Sequence, residues 1–269
     1  MVNPISLDSL CGALAYAMGI DAPKNAAAPN EEFIAFVDKA FHGEKADRIF
    51  MYHPDAVAQW IYEKYSGFLS EVLTRTEQKI PLCAVMPSVT PVCFATMYTG
   101  AQPEVHGIRK YEKPIIQIDS LFDALIRAGK KPAIVATTDC SMSKIYQGRE
   151  MDYFIYDTEA EANAKTAQLI LEDSYDFLAV YNGDYDSTMH KNGPEAPISL
   201  GALRGNSETF GLFDAMIKEH WKMHHTIVGF AMDHGCHEID GGCGSHGLDM
   251  EEDLNIVHFY GAHPKSFEK

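Results

Sequence analysis

An uninterrupted apolar run, Thr226–Met232 (TIVGFAM), gives way at once to Asp233, His234 and Gly235. A short apolar run bounded by polar residues reads as a buried strand, and a chain with such a strand needs a sheet to surround it. This strand ends by delivering a carboxylate and an imidazole to one point, and both groups are good ligands for zinc-like ions. Gly235 permits a tight turn, and the glycines of CHEIDGGCGS let the chain carry His246 back toward the same place. Taken alone, the stretch reads equally well as a polar loop with incidental histidines.

A second cluster upstream changes that balance. Phe177–Tyr181 is another apolar strand, and NGDYDSTMHKNGP follows it, with Asp186 and His190 at i and i+4. On a helix these two share a face, so both reach one ion. Histidines and aspartates beyond two strand ends point to a shared rim.

Charge narrows the range of partners. The formal net charge of −16 sets aside nucleic-acid polymers and anionic membranes, which would be repelled over most of the surface. Leu10–Ile20 is apolar, but no basic segment precedes it and Asp8 adjoins it, so it is not read as a secretory signal. No apolar stretch is long enough to span a bilayer. The cysteines (Cys11, Cys83, Cys93, Cys140, Cys236, Cys243) lack the spacing of a disulfide scaffold, so reduced thiols and a cytoplasmic location are expected. Cys236 and Cys243 flank the ligand loop and are read as packing thiols, although thiolates also bind metal.

The remaining chain alternates strand and helix signals. Ser6–Met18 and Asn30–Phe41 have helical apolar spacing around the turn-prone DAPKNAAAPN, and residues 1–46 are read as an appended helical segment. Arg48–Tyr52 reads as the first sheet strand and runs into HPDAVAQWIYEKY, a helix. Asp55 thus stands at a strand-to-helix junction, where open α/β sheets bind ligands. The same place suits a helix N-cap, and His53 and Asp47 are rivals for a metal role.

Ile80–Met86 reads as a strand, with Thr90 as N-cap and Pro91 as the first residue of a helix over Val92–Tyr98. A hydroxyl at that corner, beside the positive end of a helix, is also how a nucleophile is activated. Ser120–Asp123 forms a capping-box start for a helix stopped by Gly129; Pro132–Thr137 and Tyr153–Tyr156 read as strands, and Thr158–Glu172 as a long helix. After His190 a loop is expected, then a helix from about Glu208 to Met223, with His224 and His225 at its end and Lys191 and Arg204 as solvated charges. The alternation predicts a three-layer α/β/α domain with a mainly parallel central sheet, spanning residues 1–269.

These motifs, in this order, resemble the alkaline phosphatase superfamily, most closely its nucleotide pyrophosphatase/phosphodiesterase branch, from about Arg48 to Gly261. In that family a Thr, Ser or Cys nucleophile opens a helix ending in Thr-Gly, and Pro-x-x-His-Gly-Ile follows. Thr90, Thr99, Gly100 and PEVHGI match. The family's Asp-x-x-x-His and Gly-Pro are matched by DSTMH and KNGP, its Asp-His-Gly by Asp233–Gly235, and its late His-Gly by SHG.

The resemblance implies an alkaline-phosphatase-like core without a large cap domain. It also implies that Asp186, His190 and His246 hold one metal, that Asp233, His234, Thr90 and Asp55 hold the other, and that Thr90 is the nucleophile. Two residues depart from the pattern: Ala56 follows Asp55 where the family has glycine, and Cys93 stands where diesterases have asparagine. The sulfatase branch fits poorly, since its Cys nucleophile and downstream Arg are missing.

The expected activity is two-metal hydrolysis of a phosphodiester or pyrophosphate bond in a small phosphorylated substrate. Three histidines favour zinc, with manganese as the other ion suited to the same ligands. Phosphomonoester or phosphonate hydrolysis and phosphomutase chemistry fit the same residues. A different class, a metal- or phosphate-binding protein without turnover, also fits, and a homo-oligomer is left open.

Overall fold

The computed structural model describes residues 1–266. The chain opens with α1 (Ser9–Met18), ended by left-handed Gly19, and α2 (Glu31–Ala40), capped by Asn30, whose side chain accepts from the Phe33 amide. Next come β1 (Arg48–Pro54), α3 (Gln59–Tyr65), α4 (Ser70–Arg75) and β2 (Gln78–Cys83). The helix α5 (Thr90–Thr99) and the turn α6 (Pro103–His106) lead to α7 (Leu121–Arg127), which begins with the expected Ser120–Asp123 capping box. Then follow β3 (Pro132–Thr137), α8 (Ser141–Ile145), β4 (Asp152–Tyr156) and α9 (Glu159–Glu172), before the ligand-bearing half. That half holds β5 (Phe177–Asn182), α10 (Asp184–Asn192), α11 (Pro197–His220) and β6 (Thr226–Phe230). The hairpin β7 (His237–Ile239) and β8 (Cys243–Ser245), the turn α12 (Glu251–Leu254) and β9 (Asn255–His263) close the chain.

The central sheet has seven strands in the order β2-β9-β6-β1-β5-β3-β4. All neighbours from β6 to β4 are parallel, and β9 runs against both β6 and β2. Strands β1, β5 and β6 are buried almost throughout, as parallel strands covered on both faces must be. One face packs α1, α2, α5, α7 and α8; the other packs α3, α4, α9, α10 and α11. The mainly parallel three-layer architecture read from the sequence is therefore present.

Register aligns the strand ends that matter. Tyr52 of β1 lies opposite Phe230 of β6, and Pro54 lies opposite Asn182 of β5. The residues that follow these three central strands consequently emerge side by side at one end of the sheet.

The N-terminal helices share the main core. Leu10, Leu14, Phe33 and Val37 are buried, and the segment after α1 packs on the end of α5. A Cβ on Gly100 would lie 2.8 Å from the Ala26 Cα, and the Gly100 carbonyl accepts from Ala27 N at 2.7 Å. With φ at +67°, this position suits glycine on both counts.

Several boundaries differ from the sequence reading. The helix expected from Glu208 begins at Pro197, because Leu200, Leu203, Phe210, Phe213 and Ile217 form one buried helical stripe that outweighs three intervening glycines. Strand β2 stops at Cys83, not Met86, since its partner β9 starts at Asn255, opposite Cys83. Strand β6 ends at Phe230, and the loop carrying His246 is folded into the β7–β8 hairpin rather than being open. The reversed strand β9 was not read from the sequence at all, although NIVHFYGAH is rich in β-branched and aromatic residues.

Candidate metal centre

Three neighbouring strand ends build the site. After β1 the chain gives Asp55, whose amide donates to the Asn182 carbonyl at 3.0 Å. Ala56 then turns with φ +62°, the left-handed conformation in which glycine is cheaper, and its amide donates to Asp233 Oδ1 at 3.2 Å. Alanine stands here where a glycine would adopt the turn more cheaply.

After β5, Gly183 leads into α10, which presents Asp186 and His190 one turn apart. After β6, Asp233 and His234 are followed by Gly235, where a Cβ would come within 2.0 Å of the Glu252 carbonyl. Only glycine fits there. The hairpin returns His246, and its Gly244 lies tight against Met189 of α10.

Two groups of candidate ligands result. Asp186, His190 and His246 have donor atoms within 4.8 Å of one another, and so do Asp55, Asp233 and His234. His190 Nε2 lies 3.2 Å from Asp186 Oδ1 and 3.1 Å from His246 Nε2. His234 Nε2 lies 3.4 Å from Asp55 Oδ1 and 3.3 Å from Asp233 Oδ2. The rings of His234 and His246 stack at 4.1 Å, so the two groups adjoin.

Each imidazole is anchored through Nδ1: His190 to the Gly244 carbonyl at 3.0 Å, His246 to Ser88 at 3.0 Å, His234 to Gly235 at 2.9 Å. A ring that donates Nδ1–H to a carbonyl presents Nε2 as a lone pair. All three Nε2 lone pairs therefore face the same space. Meanwhile Asp55 Oδ1, Asp186 Oδ1 and Asp233 Oδ2 are buried without a hydrogen-bond partner among the described residues. Converging lone pairs with only the Thr90 hydroxyl among them are the arrangement that a cation completes.

The electrostatics agree. Burial, then the charges of Asp233 and Asp186, push the Asp55 carboxyl well above its ordinary range, and burial pushes Asp233 up as well. Burial works against ionised Asp186 too, but the adjoining imidazoles of His190, His246 and His234 outweigh it and hold that carboxyl low. Burial and the neighbouring His234 bring His246 down to about 3, so it is neutral at pH 7. The donor set of imidazole nitrogens and carboxylate oxygens suits zinc or manganese, so the residues present fit divalent ions.

Thr90 is not the N-cap expected of it. It is the first helical residue of α5, Val89 precedes it as cap, and no side-chain cap bond forms. Its Oγ1 instead lies 3.3 Å from Asp55 Oδ2 and 3.3 Å from His234 Nε2. All seven site residues named from the sequence are thus brought to one rim.

The rivals lie elsewhere. His53 is a satisfied core histidine, bonded to the Ala231 carbonyl at 2.7 Å and Tyr98 Oη at 2.5 Å. Asp47 binds the His225 amide, and His224 and His225 meet Asp173 and Glu44 near the opposite end of β1. Arg204 stacks over Phe68. Neither Cys236 nor Cys243 joins a ligand group, and Cys93 Sγ faces the Val85 carbonyl at 3.8 Å. The motif histidine His106 is structural: Nδ1 accepts from the Ile108 amide and Nε2 meets Thr96 Oγ1 at 3.0 Å.

Three supporting residues escaped the sequence reading. Tyr181 Oη donates to Asp55 Oδ2 at 2.5 Å. Glu159 accepts from Gly183 N at 2.6 Å, bracing the entry to α10. Asp253 takes His237 Nδ1 at 2.7 Å on one oxygen and Leu248 N at 2.8 Å on the other, tying the two ends of the hairpin together. Tyr181 ends a strand already read as ligand-bearing, the one signal that could have flagged it.

No protein-family model matches the sequence, and no curated protein matches it at the sequence level. Solved structures do match in fold. One of murine ectonucleotide pyrophosphatase/phosphodiesterase 5 aligns at TM-score 0.58 and 18% identity over 72% of this chain, which spans only 58% of that structure. A second murine structure, an inactive threonine-to-alanine form in complex with AMP, aligns at TM-score 0.63 and 14% identity, covering 84% of this chain and 90% of that one. The human protein aligns at TM-score 0.64 and 13% identity, covering 82% and 89%. This chain therefore has the fold of the ectonucleotide pyrophosphatase/phosphodiesterases, the fold its motifs had implied.

Proposed function

We propose that the protein is a two-metal-dependent phosphohydrolase that cleaves a phosphodiester or pyrophosphate bond in a small molecule, with Thr90 as nucleophile. The observation that carries this reading is the position of Thr90 Oγ1. It is free of any capping bond and 3.3 Å from both Asp55 and His234. Asp186, His190 and His246 would hold one ion, and Asp55, Asp233, His234 and Thr90 the other. Divalent ions bound there would supply positive charge to the phosphoryl oxygens and make the hydroxyl more acidic.

Thr90 Oγ1 attacks phosphorus in line with the leaving oxygen. The P–O bond to Thr90 forms as the P–O bond to the leaving group breaks, and the hydroxyl proton faces Asp55 Oδ2. The amino end of α5 favours the negative charge that builds beside it. Water then displaces Thr90 from the phosphothreonine and restores the hydroxyl. The inactive threonine-to-alanine form of the murine relative supports a threonine in this role, and its AMP supports a substrate of nucleotide size.

Zinc suits the three imidazoles best, with manganese second. Six free thiols fit a cytoplasmic setting, and the net charge of −16 favours a small substrate over a polymer. No helix among the described residues is long and apolar enough to cross a membrane.

The test is a hydrolysis screen with nitrophenyl phosphate, bis-nitrophenyl phosphate and a nitrophenyl phosphonate ester, with zinc or manganese added. Fastest turnover of the diester or the phosphonate ester is expected. Thr90→Ala should keep its ions and lose about 10⁴-fold or more in turnover. Fastest turnover of the monoester would make the protein a phosphomonoesterase, and unchanged turnover in Thr90→Ala would remove Thr90 as nucleophile.

A further inference from the structure

Asp55 treats its two oxygens differently. Oδ2 accepts from Tyr181 Oη at 2.5 Å and from Thr90 Oγ1 at 3.3 Å. Oδ1 is buried without a hydrogen-bond partner and faces His234 Nε2 at 3.4 Å. The phenol comes from the adjacent strand, where Tyr181 lies opposite His53 in register. Its ring packs edge-on against Phe94 of α5, the helix that carries Thr90. A Cβ on Gly183 would meet Tyr181 Oη at 2.8 Å, so the glycine two residues on leaves the space that the hydroxyl fills.

We propose that Tyr181 is a positioning residue for the second ion subsite: by holding Oδ2, its phenol dedicates Asp55 Oδ1 to the ion. This rests on the two-metal reading given above. The terminal torsion of a carboxylate is soft and roughly two-fold, so an unheld Asp55 exchanges its oxygens freely. One strong donor removes that freedom. A lysine or arginine would do so as well, but its positive charge would compete with the ion for the carboxylate. A phenol fixes the geometry and adds no charge.

Tyr181→Phe removes one oxygen and keeps the ring against Phe94. Zinc titration of the metal-free chain against a competing chelator should show one subsite unchanged and the Asp55 subsite weakened about 10- to 100-fold, the range for loss of a second-shell partner. Denaturant unfolding of the metal-free protein supplies a second readout. The cost of Tyr181→Phe should be present with Asp55 and vanish in an Asp55→Ala background, because the two side chains act as a pair. The proposal is overturned if Tyr181→Phe binds both ions as tightly as the unaltered chain, or if its cost persists in Asp55→Ala. If the unaltered chain itself binds fewer than two ions, the two-metal reading fails and takes this inference with it.

Discussion

Near the amino end of β6, Asp214 is fully buried, yet an imidazole meets one of its oxygens and two cations the other. His263 lies 2.5 Å from Oδ1, while Lys218 and Arg75 lie 3.0 and 3.2 Å from Oδ2. At the carboxyl end of the same sheet, Asp55, Asp186 and Asp233 each keep a buried oxygen without a hydrogen bond, and among the described residues no lysine or arginine pairs with any of them. The histidines divide in the same way. His53 and His258 have both ring nitrogens bonded within the protein, whereas His190, His234 and His246 turn Nε2 inward, where among the described residues only the Thr90 hydroxyl, 3.3 Å from His234, could donate to one of them. Where buried charge holds the fold, the chain supplies its own counter-charge. At the candidate site the described residues supply none, which the proposed ions would do.

The contrast is open to direct attack. The largest effect is expected from His246→Ala, which removes a ligand outright. Zinc affinity at its subsite should fall by more than about 100-fold, beyond the usual loss for a second-shell partner, as read by chelator competition. Two tightly bound ions in that variant would remove His246 from the ligand set.

Next comes a pair of substitutions that should act in opposite directions. Asp214→Asn takes the charge from a buried carboxyl that His263, Lys218 and Arg75 meet from partly exposed positions, and should cost about 2 kcal/mol in denaturant unfolding. Asp233→Asn relieves a carboxylate crowded by Asp55 and Asp186, so the metal-free chain should gain about 1 kcal/mol while losing its stabilisation by zinc. Equal destabilisation by both would erase the distinction between the clusters.

How much of this could be read in the sequence depends on range. Asp233 and His234 were legible because an apolar strand breaks into polar residues there, and Asp186 and His190 because i, i+4 spacing is local. The three-layer fold followed from alternating periodicities. Strand β9 was missed because it pairs with β2, whose residues lie far away in the sequence, and neither Tyr181 nor Asp253 shows its partner in any local pattern. Thr90 shows the limit most clearly. A threonine before proline reads locally as a cap or as a nucleophile, and the resemblance alone groups it with Asp55 and His234; the distances of 3.3 Å come only with the fold.

Glu159 sharpens the comparison with a pH dependence. It is a carboxyl at the site end whose Oε2 has no partner among the described residues, and burial raises its pKa from 4.5 to about 7. Between those values the folded chain holds more protons than the unfolded one, so stability falls as pH rises through the window and is flat beyond it. Glu159→Gln keeps an acceptor for Gly183 N and should remove about 2 kcal/mol of that fall. Identical pH profiles for the two proteins would show that Glu159 does not titrate there. The smallest effect is expected at Ala56, where glycine should raise stability by up to about 1 kcal/mol through relief of the left-handed turn. A loss on thermal melting would mean that the buried methyl matters more than the strain.

On the proposed reading, the open lone pairs at the carboxyl end of the sheet are a place for two ions. Dialysis of the metal-free chain against zinc, followed by elemental analysis, measures this directly. The account predicts two ions per chain, and one in His246→Ala. Uptake of one ion or none by the unaltered chain, with zinc and again with manganese, would contradict it.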